Sequence, residues 1–298
     1  MILGRQKRLL SLLDALSGAV GNLDFQKLLF FYCLEVEESP SYEFIPYRFG
    51  GFSFTSYADK RRLIERGFLE DVEWMWKLTA SGKAAGKIAP SLRMRMDEFA
   101  QKRGRLRGNA LIAEAYRRHP YYAIRSKIAD RILSGDGAAL RAVRAARPLT
   151  SGPGLCTIGY EGRTLEGFLN RLLQDGVNLL CDVRRNPISR KYGFSKSTLS
   201  KTCEGVGIRY EHLPELGIAA EERRNLNAQS DYDTLFTKYK REHLPMQGDA
   251  LSRILGWISA GSRVALTCYE QFPFQCHRHC VAEFLEKMPG NTRKAKHL

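Results

Sequence analysis

The sequence lacks the features of a membrane or secreted protein. It has no apolar run of about 18 residues, and no apolar stretch before a small-residue cleavage site near its start. It also lacks a Cys-x-x-Cys pair, and its seven cysteines are irregularly spaced. Such cysteines are typical of free thiols in a reducing compartment rather than of a disulfide framework. We therefore expect a cytoplasmic globular protein without a membrane partner.

Positive charge is present in excess and is concentrated in one segment. Residues 83–147 hold 16 Lys and Arg against 5 Asp and Glu, whereas residues 1–82 hold 10 against 11. A basic segment of this kind favours a nucleic-acid partner, and we expect DNA, although such a charge run is also typical of a solvated helix surface. Residues 89–150 are predicted to be a helical connector. The residues predicted to contact nucleic acid are Arg93, Arg95, Lys102, Arg103, Arg105 and Arg107.

Residues 1–88 are predicted to form an α+β domain of the winged-helix type. Three helical patterns within residues 5–66 precede two short strand patterns at 68–70 and 74–78. The aromatic side chains of Trp74, Trp76, Phe49, Phe52 and Phe54 are expected in the core rather than as platforms for base stacking. The runs D-F-Q-K-L-L-F-F-Y-C and Y-E-F-I-P-Y-R-F-G-G-F-S-F resemble the Panacea-type antitoxin and phage-associated domains over about the first 85 residues. That resemblance implies a module that binds a partner or DNA and has no catalytic role.

Residues 151–298 are predicted to form an α/β domain with a mainly parallel, Rossmann-like sheet, because strand and helix patterns alternate. The tail 291–298 is basic and is expected to be disordered. Polar clusters follow four predicted strands. Since the carboxyl ends of parallel strands lie at one edge of the sheet, we expect these clusters to converge there. They contain Tyr160 and Glu161; Asp182, Arg184 and Arg185, with Ser189 and Arg190 beyond; His212 and Glu215; and Cys268, Glu270, Cys276, His277 and Arg278.

Each residue type at this edge favours a particular chemistry. Arg184 and Arg278 suit bidentate binding of a phosphate or carboxylate, although Arg184 can equally form a structural salt bridge with Asp182. Glu270 is a candidate general base. Cys276 opens a helix, where a thiol pKa can be lowered, and is a candidate nucleophile. The predicted catalytic residues are Glu270, Cys276 and Cys268, and the predicted ligand-binding residues are Asp182, Arg184, Ser189, His212, His277 and Arg278.

The motifs of this second half resemble one family. T-I-G-Y-E-G, L-L-C-D-V-R-R-N-P-I-S-R, G-I-R-Y-E-H-L-P-E-L-G, V-A-L-T-C-Y-E and C-H-R together are similar to the family known as domain of unknown function 488, over residues 155–288. The resemblance implies an α/β domain in which the predicted polar positions recur, and it supplies no established reaction. Tyr160 and Glu161 depart from the family pattern, in which a His and a small polar residue are frequent, so the role of that first cluster stays open.

Two other kinds of site are not favoured. Cys268, Cys276, His277 and Cys280 are candidate zinc ligands, but adjacent helical residues point apart and no paired motif exists, so no metal is predicted. No cofactor is predicted either. The run L-L-C-D-V-R suggests a rhodanese-like sulfur transferase, but residues 269–275 are not the tight Gly-rich loop that such chemistry needs.

The expected function is therefore directed at nucleic acid. The first two segments would bind DNA, and the edge of the sheet would recognise or process a nucleotide or modified base. Two alternatives are left open: a non-catalytic DNA-binding regulator or sensor, and a small-molecule enzyme that uses Cys, Glu and Arg chemistry. The substrate, the reaction and the oligomeric state do not follow from the sequence.

Overall fold

The computed structural model describes residues 2–149, 152–219, 221–223, 226, 228–288 and 294–298. The chain divides into two compact units, Met1–Arg147 and Pro148–Leu298. Thr150 and Ser151, at the boundary between the predicted connector and the predicted α/β domain, lie outside the described residues, as do residues 291–293 of the predicted disordered tail.

The first unit is mainly helical. Its elements in chain order are α1 (Gly4–Ala15), β1 (Ala19–Gly21), α2 (Asn22–Glu35), β2 (Ile45–Tyr47), β3 (Gly50–Phe52), α3 (Phe54–Glu65), β4 (Met75–Lys77), α4 (Ala80–Ala85), α5 (Pro90–Arg103), α6 (Gly108–Arg118), α7 (Ala129–Ile132) and α8 (Gly137–Ala145). Side-chain caps begin three of the helices: the Ser53 hydroxyl accepts from the Ser56 amide before α3, the Thr79 hydroxyl from the Gly82 amide before α4, and the Asp136 carboxylate from the Ala139 amide before α8.

Helix α2 lies at the centre of this unit, because its residues from Phe25 to Cys33 are all buried. Residues of the predicted connector, such as Phe99 in α5, Ile112 in α6 and Val143 in α8, belong to the same hydrophobic cluster as α1 and α2. The basic segment therefore contributes part of the core of the first unit.

The strands of the first unit form two small antiparallel pairs. β1 pairs with β4, and β2 pairs with β3. The predicted strand at 68–70 is reduced to a single antiparallel bridge between Leu69 and Leu78, the residue that follows β4. Two aromatic residues expected in the core are exposed instead: Phe49 is 46% exposed and Trp74 is 73% exposed. Trp74 lies in the turn before β4, whereas Trp76, within β4, is buried in the core.

The second unit alternates strands and helices. Its elements are β5 (Gly154–Gly159), α9 (Leu165–Gln174), β6 (Leu179–Asp182), α10 (Lys196–Gly205), β7 (Arg209–His212), α11 (Gln229–Lys238), α12 (Gly248–Ser259), β8 (Arg263–Cys268), α13 (His277–Lys287) and β9 (Lys296–His297), with short 3-10 and π-helical turns between some of them.

The five strands form one parallel sheet in the order β7-β6-β8-β5-β9, which confirms the predicted α/β class. Every residue of β5 and β6 is buried, as expected for a parallel sheet covered on both faces. The order differs from the Rossmann order 3-2-1-4-5-6, because β8 is inserted between β6 and β5. β9 also corrects the expectation for the tail: Lys296 and His297 pair with β5 instead of being disordered.

The sheet has a switch point between β6 and β8. After β6 the chain continues to β7 on one side, and after β8 it continues to β9 on the other side. In parallel sheets a ligand crevice forms beyond the carboxyl ends of two such strands. Asp182 ends β6 and Cys268 ends β8, so the predicted functional clusters lie at this position. Within the described ranges, no helix is both long and apolar enough to span a membrane.

Candidate functional site

A cavity of about 640 Å³ lies at the carboxyl ends of the strands in the second unit. Its lining includes the strand-end residues Arg184 and Cys268, and the aromatic residues Tyr160 and Tyr269 that follow β5 and β8. Among the described residues, four arginines line it together with a single acidic residue, Glu221. These arginines are Arg184, Arg185, Arg190 and Arg223. Arg184 and Arg223 are paired with acidic side chains, whereas Arg185 and Arg190 are exposed cations of this space, which is called the arginine-lined cavity below.

Arg184 is held in place by Asp182. Its Nε donates to Oδ1 of Asp182 at 2.8 Å and its Nη2 to Oδ2 at 2.5 Å, while its Nη1 donates to the Tyr160 hydroxyl and to the Phe194 carbonyl, each at 2.9 Å. The Tyr210 hydroxyl donates to the same carboxylate at 2.7 Å. Burial alone would lower the pKa of Arg184, but the hydrogen bonds and charge of Asp182 raise it above its ordinary value. The structural salt bridge left open by the sequence is thus formed, and it supports the wall of the cavity.

A second group of side chains surrounds the end of β8. The Sγ atom of Cys268 lies 3.7 Å from Nδ1 of His277 and 3.5 Å from Oε2 of Glu270. Cys276 is next to His277 in sequence, and its thiol also belongs to this group. Cys268, Cys276 and His277 are at most 2% exposed. Each of the chain's seven cysteines is described, and each is a buried free thiol.

The environment of Cys276 differs from the sequence expectation. Burial raises the pKa of its thiol well above the ordinary value, and the neighbouring Cys268 thiol adds to the effect. The expected lowering at a helix start is therefore contradicted, because the thiol is enclosed by protein. Burial alone would lower the pKa of His277, but its contacts with Cys276 and the more distant charge of Glu270 raise it.

Glu270 is paired with an arginine that the sequence did not associate with it. The Arg223 guanidinium forms an ion pair with the Glu270 carboxylate. Burial alone would raise the pKa of Glu270, but the charge of Arg223 and a hydrogen bond with Cys276 hold it below its ordinary value. No sequence spacing connects Arg223 with β8, which is 40 residues further on.

Arg278, a predicted ligand-binding residue, binds backbone carbonyl groups of the protein instead. Its Nη1 donates to the Glu270 carbonyl at 2.6 Å and its Nη2 to the Gln271 carbonyl at 3.0 Å. The side chain is 1% exposed and does not line the arginine-lined cavity. A Cβ atom on Gly159 would lie 1.8 Å from the Glu270 carbonyl oxygen, so this loop packs directly on the end of β5. Arg278 therefore fixes the loop that carries Glu270.

The remaining predicted residues take supporting positions. Ser189 lines the cavity, and its hydroxyl accepts from the Lys191 amide at 3.1 Å. His212 Nε2 lies 2.9 Å from the Arg184 carbonyl, outside the cavity lining. His277 Nε2 lies 2.9 Å from the carbonyl of Val183. Backbone residues 182–184 thus connect the Asp182–Arg184 pair with the group at the end of β8, which brings the predicted clusters together.

Three residues of the cavity, Tyr160, Arg185 and Arg190, were placed in strand-end clusters from the sequence without an assigned role. Tyr160, whose role was open, binds Arg184 and stacks on Phe194 with ring centroids 4.3 Å apart. Arg185 and Arg190 are exposed and line the cavity. In the part of the chain that is described, neither of them forms an ion pair. Their position in the polar loop after β6 was the available signal.

The basic residues of the first unit divide into two groups. Arg93 pairs with Asp14 and Asp97, Arg95 with Glu38, and Arg103 with Glu35. Arg103 is also buried, with its guanidinium 4.3 Å from the centre of the Phe31 ring. The exposed members that form no ion pair within the described residues are Lys102, Arg105 and Arg107. Half of the predicted nucleic-acid contacts are therefore occupied by acidic groups of the same unit.

Comparison with known proteins gives one result for the second unit. Residues 164–285 match the family model described as "Domain of unknown function DUF488", so this segment is a domain of that family. The match lies within the segment 155–288 in which the motifs are similar, and it does not reach residues 1–88. Neither a curated protein nor a solved structure matches the chain.

Proposed function

We propose that the DUF488 domain of this chain binds a phosphate-bearing group of a nucleotide in its arginine-lined cavity, and that the protein is associated with nucleic acid. The observation that carries the proposal is the placement of four arginines around about 640 Å³ at the switch point of a parallel sheet. A cavity of this size suits a ligand as large as a nucleotide. Guanidinium groups bind phosphate oxygens through paired hydrogen bonds.

Arg185 and Arg190 are the proposed phosphate ligands. Arg184 already donates to Asp182, Tyr160 and Phe194, and Arg223 is paired with Glu270. These two guanidinium groups fix the charge and shape of the cavity wall. Arg185 and Arg190 are exposed, so they can turn towards an anion without breaking an ion pair.

Aromatic groups at the cavity supply a second type of contact. The Tyr269 side chain is 44% exposed and packs edge-on against Tyr160, with ring centroids 5.3 Å apart. An exposed ring beside guanidinium groups favours a ligand that carries both a phosphate and a planar base. This arrangement supports a nucleotide or an extruded base over a simple inorganic anion.

The first unit is proposed to be a winged-helix module that brings the protein to nucleic acid. The order of α1, β1, α2 and α3 before β4, with the Leu69–Leu78 bridge beside the β1–β4 pair, supports this topology. Helix α3 carries exposed Arg61 and Arg62. The exposed cations Lys102, Arg105 and Arg107 supply a second basic surface in the same unit.

Calorimetric titration tests the cavity with dAMP, inorganic phosphate and a short single-stranded oligonucleotide as separate probes. We expect dAMP or the oligonucleotide to bind more tightly than phosphate, and the double substitution Arg185→Gln with Arg190→Gln to weaken binding at least about tenfold, which corresponds to 1.4 kcal/mol. Arg171→Gln, on exposed surface of α9 outside the cavity lining, is the matched control and should bind normally. An absence of binding by all three probes, or binding that the double variant leaves unchanged, would overturn the proposal.

A further inference from the structure

A group of potential metal ligands lies beside the arginine-lined cavity, and the proposed phosphate binding does not use it. The Sγ atoms of Cys268 and Cys276 and a ring nitrogen of His277 all lie within 4.8 Å of one another, and the three residues are buried. Two thiols and an imidazole form a ligand set that suits a soft divalent ion. We propose that Cys268, Cys276 and His277 bind a transition-metal ion of the Zn²⁺ class.

The separation between the Cys268 and His277 donor atoms agrees with a tetrahedral ion. Typical Zn–S and Zn–N bonds at a tetrahedral angle place a sulfur and a nitrogen ligand about 3.6 Å apart. The observed separation between Cys268 Sγ and His277 Nδ1 is 3.7 Å. The ion would therefore fit between these two atoms without a large movement of either side chain.

The imidazole of His277 is oriented as a metal ligand. Its Nε2 lies 2.9 Å from the Val183 carbonyl, which can only accept, so Nε2 carries the proton and donates. Nδ1 then faces Cys268. Histidine ligands of metals usually donate their second ring N–H to a carbonyl or carboxylate in this way, which fixes the tautomer and the ring plane.

The local backbone explains why adjacent residues converge here. Cys276 is the N-cap of α13 and has an extended conformation, with φ −139° and ψ 133°, whereas His277 is the first helical residue. The change of conformation between them allows both side chains to reach the end of β8. The sequence argument against a metal assumed that both residues were helical, and it does not apply to this pair. Cys280, one turn further on, lies outside the group.

The Glu270 carboxylate lies next to the group of three donors but outside it, so it would have to move to become a fourth ligand. Its Oε2 lies 3.5 Å from Cys268 Sγ, and its Oε1 forms the ion pair with Arg223, which lines the cavity. A carboxylate is a common partner of nitrogen and sulfur ligands around zinc. The metal site itself does not depend on the proposed phosphate ligand.

Cobalt spectroscopy of the reduced, chelator-treated full chain tests the site. We expect Co²⁺ to produce thiolate charge-transfer absorption and the visible bands of tetrahedral coordination, saturating at one ion per chain, and Zn²⁺ to displace it. Added Zn²⁺ should also raise the melting temperature of the wild-type protein. If the folded, reduced wild-type chain shows no charge-transfer absorption with Co²⁺, the proposal is overturned. Formation of a disulfide between Cys268 and Cys276 on oxidation would not change this conclusion.

Matched variants locate the ligands. Cys276→Ser and His277→Gln should weaken Co²⁺ binding by more than the roughly 10–100-fold that is typical of an outer-shell change. Cys280→Ser removes another buried thiol of the same helix and should bind Co²⁺ as the wild type does. Circular dichroism confirms that each variant is folded before its titration is interpreted. Equal losses in Cys276→Ser and Cys280→Ser would contradict the assignment of the ligands.

Discussion

Arg184 and Asp182 form a buried pair in which two hydrogen bonds, of 2.8 and 2.5 Å, join the guanidinium to the carboxylate. Asp182 is fully buried and Arg184 is 5% exposed. The pair lies at the end of β6 and also holds the Tyr160 hydroxyl. Its position means that Arg184 stabilises the site before any ligand arrives.

Removal of the Arg184 side chain is therefore expected to destabilise the second unit. Arg184→Ala leaves the Asp182 carboxylate buried without its cation, and loss of one partner from such a pair typically costs about 3–5 kcal/mol. Chemical denaturation of the full chain, followed by circular dichroism, measures the change. Arg185→Ala is the matched control, because this neighbour is exposed and should change the free energy of unfolding by no more than about 0.5 kcal/mol. Similar stabilities for the two variants would refute the structural role of Arg184.

Nucleic-acid binding is expected to depend on the exposed cations of the first unit. Replacing Lys102, Arg105 and Arg107 together by Gln should weaken binding to a labelled duplex of any sequence, since phosphate contacts are not sequence-specific. The slope of log affinity against log salt should fall by about 0.9 for each phosphate that the protein no longer neutralises. Fluorescence anisotropy with DNA and RNA duplexes at several salt concentrations provides the measurement. Arg103 is kept, because it is buried and paired with Glu35.

A control of equal charge separates a binding surface from the effect of net charge. Arg141, Arg144 and Arg147 lie on and just after α8, and all three are exposed. Their replacement by Gln removes the same charge from the same unit. If this second triple variant shows the same reduction in affinity and salt dependence as the first, the predicted surface on α5 and the following turn has no special role.

Lys27 gives the first unit a pH-dependent stability. Its amine is buried and donates to the Gly51 carbonyl at 2.8 Å, and burial lowers its pKa to about 7. Between pH 7 and the ordinary pKa of 10.5, the unfolded chain therefore binds more protons at Lys27 than the folded chain. The free energy of unfolding should rise with pH in this interval, by up to about 1.4 kcal/mol per unit.

The measurement is denaturation of the full chain at pH 7, 8 and 9, followed by tryptophan fluorescence. Trp76 is fully buried in the same hydrophobic cluster and reports on this unit. Lys27→Met is the matched variant, because it keeps a long side chain and removes the amine. Its stability should vary less with pH over this range. An equal slope in the two proteins would show that Lys27 does not titrate in the way its burial predicts.

The general form of the site could be predicted from the sequence. Apolar runs that end in Asp182 and Cys268 indicated buried parallel strands, and the topology of parallel strands brought their ends together. Such reasoning needs only the pattern of apolar residues that indicates each strand and the direction in which the parallel strands run. It does not give the strand order, because the insertion of β8 between β6 and β5 depends on packing between distant segments.

The roles of individual side chains could not be predicted in the same way. From sequence alone, Arg184 was equally suitable as an anion ligand or as the partner of Asp182. The folded structure shows that it forms the ion pair with Asp182. Cys276 follows the rule for a helix start but is buried, so burial determines its pKa. Arg223 forms an ion pair with Glu270, although no sequence pattern relates the two distant segments that carry them. These three cases depend on tertiary contacts that local patterns do not encode.

Strand β9 covers the edge of the sheet at β5. Lys296 and His297 hydrogen-bond to the outer side of β5, and the Leu298 amide donates to the Thr157 carbonyl at 2.9 Å. Without these residues, β5 would expose an edge of unpaired peptide groups, which is a template for another chain. Shortening of the chain by its final few residues would therefore favour intermolecular strand pairing, and light scattering would detect the resulting aggregates.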